Sequence, residues 1–144
     1  MMTRKPVLAV ALAAGLGVAA VLAADGKPAD PKDEAQKAAT AWLALVDHGD
    51  YAESWKQAAA IFRGSIDQDA WVSAVRGVRG PLGKVRSRSL KSATYATSLP
   101  GVPDGQYVVI QYDTVFDNKA SSVETITPTL DRDQAWRVSG YYIR

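Results

Sequence analysis

Residues 76–95, RGVRGPLGKVRSRSLKSATY, decide how this chain is read, because its hydrophobic period changes inside them. Upstream, apolar residues recur every three or four positions, the spacing of one helix face. Downstream they alternate, the spacing of a half-buried strand. Gly80-Pro81-Leu82-Gly83 stands between the two regimes. Proline cannot continue a helix interior and glycine adopts turn conformations freely, so the quartet predicts a break there.

Working back from the break, Asp67 to Arg79 predicts a helix with Trp71, Val75 and Val78 on one side. Before it, Asp50-Tyr51-Ala52-Glu53 has the form of a capping box. It opens a helix on which Tyr51, Trp55, Ala58, Ala59 and Phe62 share a face, closed by Gly64. The first helix is expected from Lys32 to His48, with Asp33 and Glu34 at its positive end. Ala35, Ala38, Trp42, Leu45 and Val46 form its apolar stripe, and Gly49 ends it.

Working forward, four strands are expected: Lys84–Tyr95, Gln106–Phe116, Ser121–Leu130 and Ala135–Ile143, separated by turn-forming residues. Helices followed by strands give an α+β class: three N-terminal helices packed on a four-stranded antiparallel meander sheet. If Asn118-Lys119 and Arg132-Asp133 are two-residue hairpin turns, Asp113 faces Glu124 and Glu124 faces Tyr141. The core face then carries Val108, Ile110, Tyr112, Phe116, Val123, Trp136, Val138 and Tyr142.

The chain of 144 residues opens on Arg4-Lys5, an uncharged run from Val7 to Ala23, and small residues before Asp25. These are the parts of a secretory signal peptide over residues 1–23, which places the mature protein in the periplasm or outside the cell. Residues 24–31 read as a flexible tether and 32–144 as a single domain. After processing, no span remains to make it an integral membrane protein.

Arg4 and Lys5 leave with the leader, so the 17 bases fall to 15, equal to the 15 acids. A neutral mature chain argues against nucleic acid as partner. The charge is nevertheless segregated: residues 24–69 carry nine acids and five bases, whereas residues 70–103 carry six bases and no acid. Either this makes an anion patch at Arg76, Arg79, Arg86 and Arg88, or the acidic segment folds against it; we favour the second. With Cys 0, thiol chemistry is excluded; His 1 argues against a histidine zinc site, and no metal or cofactor is expected.

Ala41-Trp42-Leu43, Asp50-Tyr51, Arg79-Gly80-Pro81-Leu82-Gly83, Pro103-Asp104-Gly105 and the ending from Trp136 to Arg144 resemble exported bacterial proteins grouped as domain of unknown function 4019. The helix-then-meander order is also similar in outline to NTF2-like (cystatin-like) domains, which implies a cone with a cavity between sheet and helices. It carries over no catalytic residue.

Four catalytic candidates follow. Asp113 and Glu124, facing each other with Tyr141 alongside, would form an acid/base pair. His48 is the one imidazole, read as a helix-end cation. Trp42, Trp55, Tyr112 and Trp136 are the places to look for a ligand cavity. The reading is therefore an exported, non-catalytic binding or interaction domain of the bacterial envelope, its partner a small ligand or an envelope protein. Two alternatives stand beside it. One is a proton-transfer or hydrolytic enzyme with an NTF2-like pocket. The other is a structural homodimer through an exposed sheet face bearing Val109, Val115, Ile126 and Ile143.

Overall fold

The computed structural model describes residues 29–144, so the expected leader and most of the tether lie outside the described residues. Among the described residues four helices, α1 (Pro31–Asp47), α2 (Tyr51–Lys56), α3 (Ala60–Ser65) and α4 (Gln68–Leu82), precede four strands, β1 (Val85–Ala96), β2 (Tyr107–Phe116), β3 (Lys119–Leu130) and β4 (Trp136–Ile143). The strands form one antiparallel sheet in chain order, β1-β2-β3-β4, and the fold is α+β.

Helix α1 starts where its cap dictates. Asp30 accepts the Lys32 amide at 3.0 Å, and Pro31 takes the first position, where its missing N–H costs nothing. Ala35, Ala39, Trp42, Leu43 and Val46 are its buried stripe, a slight rotation that leaves Ala38 and Leu45 at the edge of the core. Helix α1 thus begins one residue before the expected Lys32.

The expected second helix is two. The amide of Ala59 leaves the helical pattern and donates to the Val138 carbonyl of β4 at 2.8 Å, with Ala58 and Ala59 fully buried against the sheet. A tertiary hydrogen bond outcompetes helix continuation at residues whose period alone favoured it. The capping box also fails to form. The Asp50 side chain caps no amide, and Glu53 instead accepts from Gln57 at 2.9 Å.

Helix α4 runs past Arg79 and carries Pro81 in its last turn. Asn118 completes that turn, donating from its backbone to Leu82 at 3.0 Å and from its side chain to Pro81 at 2.9 Å. Gly83 ends the helix at φ +76°, and a Cβ there would lie 2.7 Å from Asp117 Cβ. Gly83→Ala combines that clash with left-handed strain worth about 1–3 kcal/mol. A urea-unfolding midpoint below wild type by at least that equivalent is the expected result.

The sheet register departs from two-residue arithmetic at both hairpins. The first turn is Asp117-Asn118, and a bulge between the Thr114 and Phe116 pairs slips β3 by one residue, so Glu124 pairs with Tyr112 and Asp113 with Val123. The second connection spans residues 131–135, and a further irregularity near Ser139 brings Glu124 opposite Ile143 and Ile126 opposite Tyr141. A slip of one reverses every side chain on the strand. Val123 and Tyr142, expected in the core, therefore face outward. Ile126, expected on an exposed dimer face, is fully buried, and Glu124 moves inside.

The helices cover the inner face, where Val108, Ile110, Tyr112, Ile126 and Val138 meet Trp42, Leu43, Val46 and Trp71. Ser54 ties the aromatic cluster together. Its carbonyl accepts from Trp42 Nε1 at 2.8 Å and its hydroxyl from Trp71 Nε1 at 2.9 Å. Ser54→Ala strands the buried Trp71 N–H, a loss of about 1–3 kcal/mol readable by urea unfolding.

Candidate functional site

Two places combine chemistry with shape. The first is a buried polar cluster at the C-terminal end of α1. The slipped register puts Arg88 of β1 opposite Thr114 of β2, on the same inner face as Glu124 of β3 and Tyr141 of β4. Asp47, in the last turn of α1, and Arg79, on α4, close over them from the helical layer.

Glu124 is fully buried and completely engaged. Arg88 grips it through Nε at 2.7 Å and Nη2 at 3.1 Å, the Thr114 hydroxyl donates at 2.5 Å, and the Tyr141 hydroxyl donates to its other oxygen. Asp47 accepts from both Arg88 Nη atoms, at 2.8 and 3.0 Å, and from Arg79 at 2.8 Å. The Arg79 side chain is only 4% exposed and its guanidinium lies 5.1 Å from the Phe116 ring centre. Two arginines thus answer two carboxylates, so the interior carries no net charge from this cluster.

The pKa directions follow. Burial works to raise Asp47, but hydrogen bonds from Arg88 and then Arg79 outweigh it and hold the carboxyl below its ordinary value. Tyr141 is driven the other way, first by burial and then by the charge of Glu124, far above an ordinary phenol. The signs are opposite. The stabilisation from Asp47 is complete above its unfolded value of about 4 and fades as pH falls through its lower folded value. That from Tyr141 is complete below about pH 10 and is lost as pH rises beyond it. We expect the wild-type unfolding midpoint to fall above pH 10, and a Tyr141→Phe variant, weaker at neutral pH by the bond to Glu124 and the longer one from Arg79 at 3.4 Å, to show a flatter alkaline limb.

The second place is a cleft of about 380 Å³ between α1, α2 and β4, lined by Ala38, Ala41, Trp42, Leu45, Trp136 and Val138 with a polar rim of Glu53, Gln57 and Arg137. The rim arginine is already held by Asp131 at 3.0 Å and Asp133 at 2.7 Å. The hydrogen bonds from Arg137 and then the Ala135 amide pull Asp133 down to about 2.

The structure distributes the sequence candidates unevenly. Glu124 and Tyr141 meet, as hydrogen-bond partners inside the cluster, whereas Asp113 lies exposed on the other sheet face. His48 is the exposed C-cap residue of α1, its Nδ1 2.6 Å from the Ala44 carbonyl. Trp42 and Trp136 share the cleft. Trp55 instead donates to Ile66 at 2.8 Å, and Tyr112 is buried in the core.

The arginines separate as well. Arg79 and Arg88 turn inward, Arg86 pairs with Asp117 outside, and Arg76 sits 6.0 Å over the Tyr51 ring. Asp47 and Thr114 were not anticipated. The signal for Asp47 was the segregated charge: an acid from the first segment neutralises two bases of the second. Among the described residues no group of three or more Asp, Glu or His side chains is placed to hold a metal ion, and no helix is long and apolar enough to cross a membrane.

A family model described as "Protein of unknown function (DUF4019)" matches residues 38–141, which takes in α2, α3 and α4, most of α1 and β4, and every residue of the polar cluster and the cleft. No curated protein matches the chain.

Proposed function

The chain belongs to this family of unknown function, and we propose that it is an exported, non-catalytic binding domain of the bacterial envelope whose ligand sits in the Trp42–Trp136 cleft. One observation carries the reading: the buried carboxylate that sequence offered as a general base has no free acceptor site. Arg88, Thr114 and Tyr141 occupy both oxygens of Glu124. A general base must reach the proton it removes, directly or through one water.

The cleft is open where the cluster is closed. Its apolar walls and polar rim suit a small ligand with a flat apolar body, the usual make-up of a binding pocket. We read the helix-then-meander order as similar in outline to NTF2-like domains, whose cavity fits this placement, and residues 1–23 as the export address.

Native mass spectrometry of the processed protein, taken gently from its own envelope extract, tests this. We expect cleavage after residue 23 and a small-molecule adduct that Trp136→Ala sheds. A processed protein that stays bare in every extract overturns the reading.

A further inference from the structure

The two edges of the sheet are built differently. The β1 edge carries Arg86, Arg88 and Lys91 and is irregular twice, between Val85 and Ser87 and between Leu90 and Ser92. Charges and bulges of this sort keep an edge from pairing. The β4 edge has neither device between Gly140 and Ile143.

Its hydrogen-bonding state follows from register. Arg144 and Val123 exchange both backbone bonds at 2.9 Å, so by alternation Tyr142 and Gly140 also bond inward to β3. The N–H and C=O groups of Tyr141 and Ile143 therefore point away from the sheet. Upstream the edge is closed, because Ala59 takes the Val138 carbonyl. Beside the free edge runs a groove of about 260 Å³ between α4 and β4, with Trp71, Val75, Val78, Tyr141 and Ile143 among its lining. Val78 and Tyr142, 52% and 53% exposed, flank it.

We propose that this edge is completed by a second copy of the chain, β4 against β4 in antiparallel register about a two-fold axis at Tyr142. The spacing of the free groups is self-complementary and fits that occupant. Two residues set two apart pair reciprocally: Tyr141 with the partner's Ile143, and Ile143 with the partner's Tyr141. All four outward-facing amides and carbonyls at each edge are then satisfied, and the two sheets become one of eight strands.

The side chains agree with the register. The partner's Ile143 comes down on the inner side beside Tyr141, into the apolar groove. Arg144, which lies 5.9 Å from its own Tyr142 ring, falls opposite the partner's Gly140, where nothing stands within 4 Å of a Cβ position. The Arg144 charges are thus carried to opposite ends of the contact. The two Tyr142 rings face each other across the axis.

The chain has no cysteine, so a single introduced one reports on this contact alone. Directly opposed residues of a non-hydrogen-bonded antiparallel pair have Cα atoms about 4.5 Å apart, within disulfide range. Under mild oxidation Tyr142→Cys is expected to give a disulfide-linked dimer, at least tenfold faster than Thr94→Cys on the exposed outer side of β1. Sedimentation of the unmodified protein is expected to show concentration-dependent dimer. Ile143→Pro removes an N–H that the monomer does not use, and Val78→Glu changes an exposed groove wall; each is expected to abolish the dimer with the far-ultraviolet spectrum retained. Three results overturn the proposal: a monomer at every concentration, equal cross-linking at positions 94 and 142, or a dimer that survives Val78→Glu.

Discussion

Glu124→Ala will leave Arg88 half-paired in the interior and Tyr141 without its acceptor, and the domain will lose about 3–5 kcal/mol, the range found when one partner of a buried ion pair is removed. The reason lies in saturation. Three side chains from three strands, Arg88, Thr114 and Tyr141, converge on one carboxylate. Domains of this size hold about 5–15 kcal/mol in total, so the variant sits near the limit of folding. Urea unfolding at neutral pH reads the loss directly. A companion variant tests whether the carboxylate is costly to break rather than valuable to own. Arg88→Met with Glu124→Leu removes both charges together, and its loss is expected to be smaller than that of Glu124→Ala alone, since a buried pair is often replaced by apolar residues at little cost. A double variant that falls further than the single one contradicts this account of the cluster.

Trp42→Ala is the second large effect. The indole is almost wholly buried, its ring centre 5.9 Å from that of Trp71 and 5.3 Å from that of Tyr141, the latter edge-on. Its N–H satisfies the carbonyl of Ser54. Truncation removes the ring, opens a cavity and strands that carbonyl, for a combined loss of about 3–5 kcal/mol. The same residue joins the two functional places, because one side of the ring lines the cleft and the other packs on Tyr141 of the cluster. We therefore expect weaker ligand retention along with the lower unfolding midpoint. Trp136→Ala, at a half-buried position on the far wall, is expected to weaken retention with a much smaller change in midpoint.

What was legible in the sequence, and what was not, divides along physical lines. Period alone located the switch from helix to strand within three residues of Val85, and it assigned the inner face of β2 from Val108 to Phe116. Local pattern is strong where one face is buried along a whole element. It failed at Ala58-Ala59, where a hydrogen bond to Val138, invisible to local pattern, divides one helix into two. It failed again at the two hairpins, where a bulge and a five-residue connection shift the register.

The second failure reached the site. Turn chemistry named Glu124 and Tyr141 but gave them Asp113 as a neighbour, because a slip of one residue exchanges the faces of β3. The true neighbours, Arg88 and Asp47, come from elements 36 and 77 positions upstream of Glu124 in the sequence. Only the segregation of charge between residues 24–69 and 70–103 hinted at them.

The division of labour between cluster and cleft is tested most directly by one comparison of native mass spectra. Wild type, Tyr141→Phe and Trp136→Ala are prepared from the same envelope extract. The account predicts one adduct mass on wild type and on Tyr141→Phe, and bare protein for Trp136→Ala. An adduct that disappears with the Tyr141 hydroxyl and persists without Trp136 would place the ligand at the cluster and contradict it.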